Sequence, residues 1–324
     1  MAERIAIAIA ERGTNGVHLV AIDEAGDREL ELVQPPPALA RDTKPAISPD
    51  ARWLVFARGQ GDATHLWIAP LVAEAKPVLL VDMPGVQTDP TWTPDGTAIV
   101  FASASERDQY DLYELSIAGG HALGAPRQLT DTPAHEVTPT VAADGTIVYA
   151  AWQPSGDSVA SHLEARTPDG AITRLTDGPG DSSPTLSPDG AQIAFARTTV
   201  HGALHDTDLY VMPRAGGSEH ALVDLPLTDE TGPVWSSDGR FVFATSLLRG
   251  AAGDVVFASV IVIDTRATKP TARILVDRTG AVPRLTPALA RTRLDALALD
   301  RDPEYLPELA RITAAAMAHA KAAE

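Results

Sequence analysis

The feature that most constrains the fold of this chain is a short motif that returns at nearly constant spacing. Its fullest form is Pro184–Gly190, with the sequence PTLSPDG. The leading prolines of its copies stand 45, 49, 45 and 49 residues apart, at Pro45, Pro90, Pro139, Pro184 and Pro233. This period is too long for a helical-hairpin repeat and is typical of a four-stranded propeller blade. The sequence therefore predicts an all-β propeller.

The residues between the copies read as the remaining strands of each blade. An apolar, β-prone run such as Ile193–Arg197 follows the Asp-Gly turn, and a second run such as Leu209–Met212 comes after a loop of variable length. A shorter run such as Ile172–Leu175 closes the unit. Alternating, β-branched runs bounded by turn residues are typical of strands. We predict long loops between the second and third strands at 59–64, 104–111, 153–161, 198–208 and 246–259.

The two ends of the chain carry incomplete copies of the repeat. The N-terminal runs Ile5–Ala10, Val17–Ile22 and Glu29–Val33 match strands two to four of a blade. Pro283–Pro287 matches a first strand whose Asp-Gly turn has become Ala288-Leu289. Joined in space, these segments would form one blade and leave no open sheet edge. We predict a six-bladed propeller over residues 1–302, with 1–34 and 282–300 together forming the closing blade.

Residues 303–324 are predicted as a C-terminal helix outside the propeller. Leu306, Leu309 and Ile312 follow one another at helical spacing, and Pro307, which has no amide hydrogen, belongs in the first turn. A helix packed on the rim and a helix that docks a partner both fit this pattern. The segment Arg291–Asp300 fits either a strand or a lead-in to the helix.

Composition restricts the partners. A formal net charge of -17 argues against a nucleic-acid surface, because phosphate binding needs a local excess of Lys and Arg. The chain has no cysteine, and no apolar window is long enough to span a membrane. The N-terminal apolar run is too short for a signal-peptide core. The compartment stays open: cytoplasmic if the chain is complete, periplasmic or envelope if a leader was removed.

The most regular polar residues are interpreted as structural. An Asp before a Gly accepts backbone N–H groups in a tight turn, while the Gly takes a positive φ. Every blade needs this turn, whatever the protein binds. The turn aspartates are Asp50, Asp95, Asp144, Asp189 and Asp238.

A second set of polar residues is predicted to bind a ligand. Its members stand three positions before each leading proline, where the innermost strand of a blade begins, and should circle one mouth of the central channel. They are Asp42, Gln87, Glu136, Asp181 and Glu230, with His135 beside Glu136. Converging carboxylates focus negative potential and attract a cation, an amine or a basic peptide. The competing interpretation makes each one a solvated or turn-capping acid.

Histidines supply a weaker candidate site. His201, His205 and Asp206 share one predicted loop in the fourth blade, and Asp208 follows them. Two histidines four residues apart outside a helix are a weak metal-ligand pattern. The motifs of a nucleophile elbow, a phosphate-binding loop and a metalloprotease helix do not occur in the sequence.

The repeat also resembles a known family. The run Pro-x-Trp-Ser-Pro-Asp-Gly, followed by an apolar-Phe-Ala strand and a Leu-Tyr-Val-Met strand, resembles the TolB-like propeller repeat, also called WD40-like or PD40. The resemblance is carried best by Pro184–Met212 and Pro90–Leu115 and covers approximately Arg4–Pro287. It implies a six-bladed propeller used mainly for protein or peptide binding, commonly in the bacterial cell envelope. Some related propellers are lyases that use histidine and a metal.

These observations give two functional hypotheses. The first is a non-enzymatic binding or scaffold propeller that captures a peptide, a protein segment or a cationic ligand at the acidic channel mouth. Its partner would be a protein or peptide, and a divalent cation such as calcium in the channel is the candidate cofactor. The alternative is a metal-assisted hydrolase or lyase that acts on a small or oligomeric substrate through His201 or His205.

Overall fold

The protein is built from β-strands in every part that the structure describes. This structure is a computed structural model and describes residues 7–289 apart from 14–15, 23–28, 35, 38–39, 105–108, 156–157, 179, 202–203, 224, 226–227, 250–254, 268–271 and 280–287. The all-β prediction is confirmed. Among the described residues there is no helix with the length and apolar character needed to cross a bilayer. The predicted helix at 303–324 and the segment 291–300 lie outside the described residues.

The strands group into antiparallel sheets in chain order. Three strands precede the first repeat: β1 (Ile7–Gly13), β2 (Gly16–Ile22) and β3 (Glu29–Glu31). Blade 1 contains β4 (Arg41–Ile47), β5 (Trp53–Gln60), β6 (Ala63–Pro70) and β7 (Val78–Val81). Blade 2 contains β8 (Val86–Trp92), β9 (Ala98–Ala104), β10 (Asp111–Ala118), the short β11 (His121–Ala122) and β12 (Arg127–Gln128).

The next three blades repeat the same order of four strands. Blade 3 contains β13 (His135–Val141), β14 (Ile147–Ser155), β15 (Ser158–Arg166) and β16 (Ile172–Arg174). Blade 4 contains β17 (Asp181–Leu186), β18 (Gln192–His201), β19 (Leu204–Pro213) and β20 (His220–Val223). Blade 5 contains β21 (Thr228–Trp235), β22 (Phe241–Arg249), β23 (Val255–Asp264) and β24 (Ala272–Thr279). Each strand pairs with its neighbours in sequence.

The repeat motif forms the turn between the first and second strands of each blade. In blade 4 the Asp189 carboxylate accepts a hydrogen bond from the Ser187 hydroxyl at 2.6 Å and from the Ala191 amide at 3.0 Å. Gly190 takes a φ of 69°, which glycine adopts without steric cost. In the other blades the turn aspartate likewise accepts a hydrogen bond from the amide two residues later, at Asp50, Asp95, Asp144 and Asp238. These bonds hold the pKa of each turn aspartate below its ordinary value.

The core consists of apolar layers between neighbouring blades. The second strands lie in the middle of each sheet, so both of their faces are covered. In β5, Leu54 and Phe56 pack with Leu32 and Val33, whereas Val55 and Ala57 pack against blade 2. The five largest fully buried side chains among the described residues all belong to second strands: Phe56, Phe101, Tyr149, Phe195 and Phe243. Truncating such a ring to alanine typically costs about 3 to 5 kcal/mol, so these layers hold the blades together.

One group of paired strands brings together the two ends of the described chain. Strand β25 (Ala288–Leu289) pairs antiparallel with β1, Ile7 opposite Leu289 and Ala8 opposite Ala288. Strands β2 and β3 continue the sheet outward.

The predicted long loops of blades 3, 4 and 5 are largely continuations of the hairpins. Strands β14 and β15 stay paired out to Ser155 and Ser158, and β18 and β19 out to His201 and Leu204. In blade 5 the pairing reaches Arg249 and Val255. Pairing in the hairpin satisfies backbone N–H and C=O groups that a loop would leave to water. The polar composition of these segments fits a loop and a paired strand equally well. The long-loop prediction is corrected accordingly for 153–161, 198–208 and 246–259.

Parallel contacts between blades define one face of the molecule. Thr64, at the start of β6, is the parallel partner of Val86, at the start of the next blade. The same relation joins Val17 to Arg41 and Ser161 to Gly180. The hairpins between second and third strands and the links between blades therefore lie at the same end. We name this end the hairpin face and the opposite end the turn face.

Candidate functional site

The first strands of the five blades surround a central cavity. Its volume is about 360 Å³, and its wall comprises residues 44–49, 89–92, 138–140, 183–185 and 232–234. One segment comes from each blade, so the cavity follows the common axis of the repeats. We name it the channel.

Each first strand is bulged where it lines the channel. The register with the second strand skips two residues in every blade, for example from Thr43 to Ala46 and from Thr88 to Thr91. The first skipped residue has a left-handed backbone: φ is 53° at Lys44, 50° at Asp89, 52° at Thr138, 50° at Ser183 and 62° at Gly232. The second is the leading proline of the motif. We name the five left-handed residues the bulge ring.

The bulge ring carries one ion pair. Lys44 Nζ lies 2.8 Å from Asp89 Oδ1, and the two side chains are 39% and 11% exposed. The Asp89 carboxylate raises the pKa of Lys44, which therefore stays protonated. On the next blade the Thr138 hydroxyl oxygen is buried and has no hydrogen-bond partner among the described residues.

The five polar residues predicted at the channel mouth are fully buried. Asp42, Gln87, Glu136, Asp181 and Glu230 are all 0% exposed. The cavity wall begins two positions further along each first strand. Their role in ligand contact at the channel mouth stays a prediction.

Blades 1 and 4 neutralise the acid with an arginine from the second strand. Arg58 binds Asp42 through Nε at 2.6 Å and Nη2 at 2.7 Å. Its guanidinium lies over the rings of Phe56 and Trp67, 5.3 and 5.0 Å from the centroids. A two-pronged bond to a carboxylate combined with stacking on aromatic rings is the geometry that arginine favours. Asp42 is thus committed to a structural pair.

Blade 4 repeats this arrangement. Arg197 binds Asp181 at 2.6 and 2.9 Å and lies over Phe195 and Tyr210, at 5.3 and 4.8 Å from the centroids. It also reaches Glu219 at 2.9 Å. An acid followed sixteen positions later by an arginine occurs in both blades. That spacing was a readable signal that the sequence analysis missed.

Blade 2 has neutral groups at these positions. Gln87 donates from Nε2 to the carbonyl oxygens of Met83 and Pro84, both at 3.1 Å. Its Oε1 lies 2.8 Å from His65 Nδ1 on the preceding blade. The amide therefore ties the interblade link to blade 1.

Blade 3 keeps the acid without an arginine. Glu136 accepts hydrogen bonds from Thr130, at 3.1 Å, and from Thr132. Burial raises its pKa to about 7, and the Asp111 and Glu164 carboxylates add to the shift. Beside it, His135 stacks on Trp152 with 3.7 Å between ring centroids and an angle of 5°. Burial lowers the pKa of His135, so this ring stays neutral near pH 7.

Blade 5 also keeps an uncompensated acid. The Ser246 hydroxyl donates to Glu230 Oε1 at 2.9 Å, and Oε2 has no hydrogen-bond partner among the described residues. Burial raises the pKa of Glu230 to about 9, assisted by the Asp208 and Asp206 carboxylates. A carboxyl group in this setting is protonated at neutral pH and does not attract cations.

The histidine site stays a prediction. The side chains of His201 and His205 lie outside the described ones, and Asp206 lies in β19. Among the side chains that are described, no three His, Asp or Glu groups are placed to hold a metal ion together.

The acidic character of the hairpin face comes from other residues. Asp62 is exposed in the hairpin between β5 and β6, and Asp82, Asp131 and Asp177 are exposed on the links that follow blades 1, 2 and 3. Asp82 lies 4.0 Å from His65, and Asp177 lies 3.2 Å from Arg174. The three link aspartates follow Leu-Val or Leu-Thr at the end of the fourth strand. The sequence analysis missed this short repeat.

Comparison with known proteins identifies the repeat. The family model described as the TolB beta propeller domain, PD40, matches residues 38–205. Among curated proteins none matches this chain.

Solved structures share the fold at low sequence identity. A TolB-type protein from Agrobacterium tumefaciens is 20% identical with a TM-score of 0.62, over 86% of this chain and 91% of that one. TolB from Acinetobacter baumannii is 18% identical with a TM-score of 0.67, over 88% of this chain and 66% of that one. A periplasmic gluconolactonase from Pseudomonas aeruginosa is 12% identical with a TM-score of 0.58, over 89% and 99%. At these identities the likeness concerns the fold.

Proposed function

Because this chain belongs to the TolB β-propeller domain family, whose model matches just over half of its residues, we propose that it is a non-enzymatic binding propeller. Its ligand is a basic peptide or protein segment, captured on the hairpin face. The observation that carries the proposal is the set of exposed carboxylates on that face. The resemblance to TolB, a family used mainly for protein or peptide binding, supports the same class of ligand.

The geometry favours an extended, cationic ligand. Asp62, Asp82, Asp131 and Asp177 occupy hairpins and links that successive blades bring to one end of the molecule. Carboxylates spread over such a face steer a cationic partner and favour its association. A net charge of -17 reinforces this field at long range. Loops and links on a rigid frame are also where binding residues usually lie.

We further propose that the ring has six blades. The sheet formed by β1, β2, β3 and β25 supports this, since it joins a strand from residues 288–289 to the N-terminal strands. The sheet corresponds to the closing blade expected at 1–34 and 282–300, within a propeller of residues 1–302. A closed ring places the hairpins of all blades around one opening.

A peptide display experiment tests the binding function. We expect a library of random linear peptides selected on the protein to be enriched in Lys and Arg. The double variant Asp82→Asn/Asp131→Asn should weaken the selected peptides about fivefold at low salt, since exposed charges contribute up to about 1 kcal/mol. Raising the ionic strength should weaken wild-type binding and reduce the difference between the two proteins.

The matched control removes the same number of charges from the opposite face. Glu74 and Asp169 are exposed in turns between third and fourth strands. Glu74→Gln/Asp169→Asn should leave peptide affinity unchanged. The proposal fails if the selection yields no saturable binder, or if the two double variants weaken binding equally.

A further inference from the structure

The bulge ring has the properties of a second binding site, separate from the hairpin face. It consists of Lys44, Asp89, Thr138, Ser183 and Gly232, one residue from the same position of each blade. All five belong to the wall of the channel, so a molecule on the axis contacts several blades at once. A cavity of about 360 Å³ is within the range of small-molecule sites.

The backbone of the ring is held in a costly conformation. Non-glycine residues with left-handed φ typically cost about 1 to 3 kcal/mol, and a residue before proline is further restricted. Gly232 avoids this cost in blade 5, yet blades 1 to 4 place Lys44, Asp89, Thr138 and Ser183 there. Such strain clusters at ligand sites. A polar or charged side chain is present at each of the four strained positions.

The polar groups of the bulge ring can form more hydrogen bonds than they form in the structure. An ammonium has three donors, of which Lys44 directs one to Asp89. The Thr138 hydroxyl is buried without a hydrogen-bond partner among the described residues.

The charges of the ring are adjacent and opposite. A simple anion bound at Lys44 would be repelled by Asp89, and a simple cation at Asp89 would be repelled by Lys44. A molecule that carries both charges a few ångströms apart satisfies both residues. We propose that the bulge ring binds a small zwitterion of the free α-amino acid class. Its carboxylate faces Lys44 and its ammonium faces Asp89, with Ser183 available for a further hydrogen bond.

Calorimetric titration with chemically matched probes tests this site. The probes are glycine, L-serine, L-leucine and L-glutamine, each compared with its N-acetyl derivative and with its carboxamide. We expect at least one free amino acid to bind saturably, and both derivatives to bind at least tenfold more weakly. Acetylation removes the positive charge of the amino acid and amidation removes its negative charge. The need for each charge is therefore tested on the wild-type protein.

A variant that removes both ring charges provides the second arm. Lys44→Gln/Asp89→Asn should abolish amino-acid binding. The control Arg240→Gln/Asp264→Asn removes another ion pair, 2.7 Å long and outside the channel wall, and should retain it. The proposal is overturned if no free amino acid binds, if the derivatives bind equally well, or if the ring variant retains binding. Peptide binding on the hairpin face should survive the ring variant, so the two proposals fail separately.

Discussion

The second-strand residue opposite each buried acid decides how that acid behaves. Blades 1 and 4 place Arg58 and Arg197 there, whereas blades 2, 3 and 5 place Ser103, Ala151 and Ser246. Blade 2 also replaces the acid, by Gln87. Blades 3 and 5 keep Glu136 and Glu230 without a cation, and burial then favours the protonated form. The same position thus holds ion pairs in two blades and neutral acids in two others.

Stability should therefore decline as the pH rises above about 5. The pKa values of Glu136 and Glu230 rise from 4.5 to about 7 and about 9 in the folded protein. The folded state binds protons more tightly, so this stabilisation is complete below pH 4.5 and is lost toward the folded pKa. For Glu136 the loss is about 3 kcal/mol. Urea midpoints of the wild type should fall between pH 5 and 8, whereas Glu136→Gln/Glu230→Gln should flatten the profile.

The turn aspartates act in the opposite direction. Hydrogen bonds, from the Ser48 hydroxyl and the Thr146 amide first of all, hold the pKa values of Asp50 and Asp144 at about 2. Their stabilisation is present above pH 3.8 and is lost as the pH falls toward 2. The stability maximum should consequently lie near pH 4 to 5. Parallel profiles for the wild type and the double glutamine variant would contradict this account.

At the scale of the element, one turn in blade 2 locks onto the neighbouring blade. Gly120, between β10 and β11, has a φ of 78°, and a Cβ there would lie 2.3 Å from the ring of Trp53 in blade 1. The adjacent Gly119 has a φ of 56°, with nothing within 4 Å of its Cβ position. Substitutions at the two glycines therefore distinguish steric overlap with Trp53 from backbone strain alone.

Gly120→Ala should destabilise the protein more than Gly119→Ala does. The second substitution costs the left-handed penalty alone, about 1 kcal/mol, whereas the first adds an overlap with Trp53 worth about 1 to 3 kcal/mol. Urea unfolding of both variants measures the difference. Equal losses would show that the Trp53 ring moves aside freely.

The sequence predicted some elements of the fold better than others. The repeat predicted the second strands well, because Ile193–Arg197 and its counterparts are apolar, β-branched and bounded by turns. The bulges could not be predicted, because a residue before proline prefers an extended conformation and Lys44 or Thr138 gives no sign of a left-handed one. Asp42 and its counterparts were assigned to the channel mouth because the innermost strand of each blade begins there. Whether these side chains reach the channel depends on how neighbouring blades pack, and that packing is not a local property of the sequence.

At the scale of the whole molecule, the sheet that joins the two ends can be tested by cross-linking. Ala8 and Ala288 are register partners, and the chain contains no cysteine. Ala8→Cys/Ala288→Cys should oxidise to an intramolecular disulfide, since opposed strand residues lie within bonding reach. Closing so long a loop should raise stability by up to about 5 kcal/mol. Mobility on non-reducing gels and urea midpoints measure both effects.

The control pairs Ala8→Cys with a cysteine at Ala171, an exposed position in the turn between β15 and β16. This variant should stay reduced as a monomer under the same conditions. If both variants cross-link equally, or neither does, the six-bladed closure is wrong.

Each central strand divides its apolar residues between two neighbouring layers, as Leu54 and Phe56 do on one side and Val55 and Ala57 on the other. The apolar interfaces between the described neighbouring blades are therefore chemically alike, and they do not determine the number of blades. If one repeat were duplicated or deleted, each remaining blade would still pack against a similar apolar surface. Under the closure proposed above, the pairing of β25 with β1 sets the number of blades. A ring with a different number of blades would therefore first differ at this pairing.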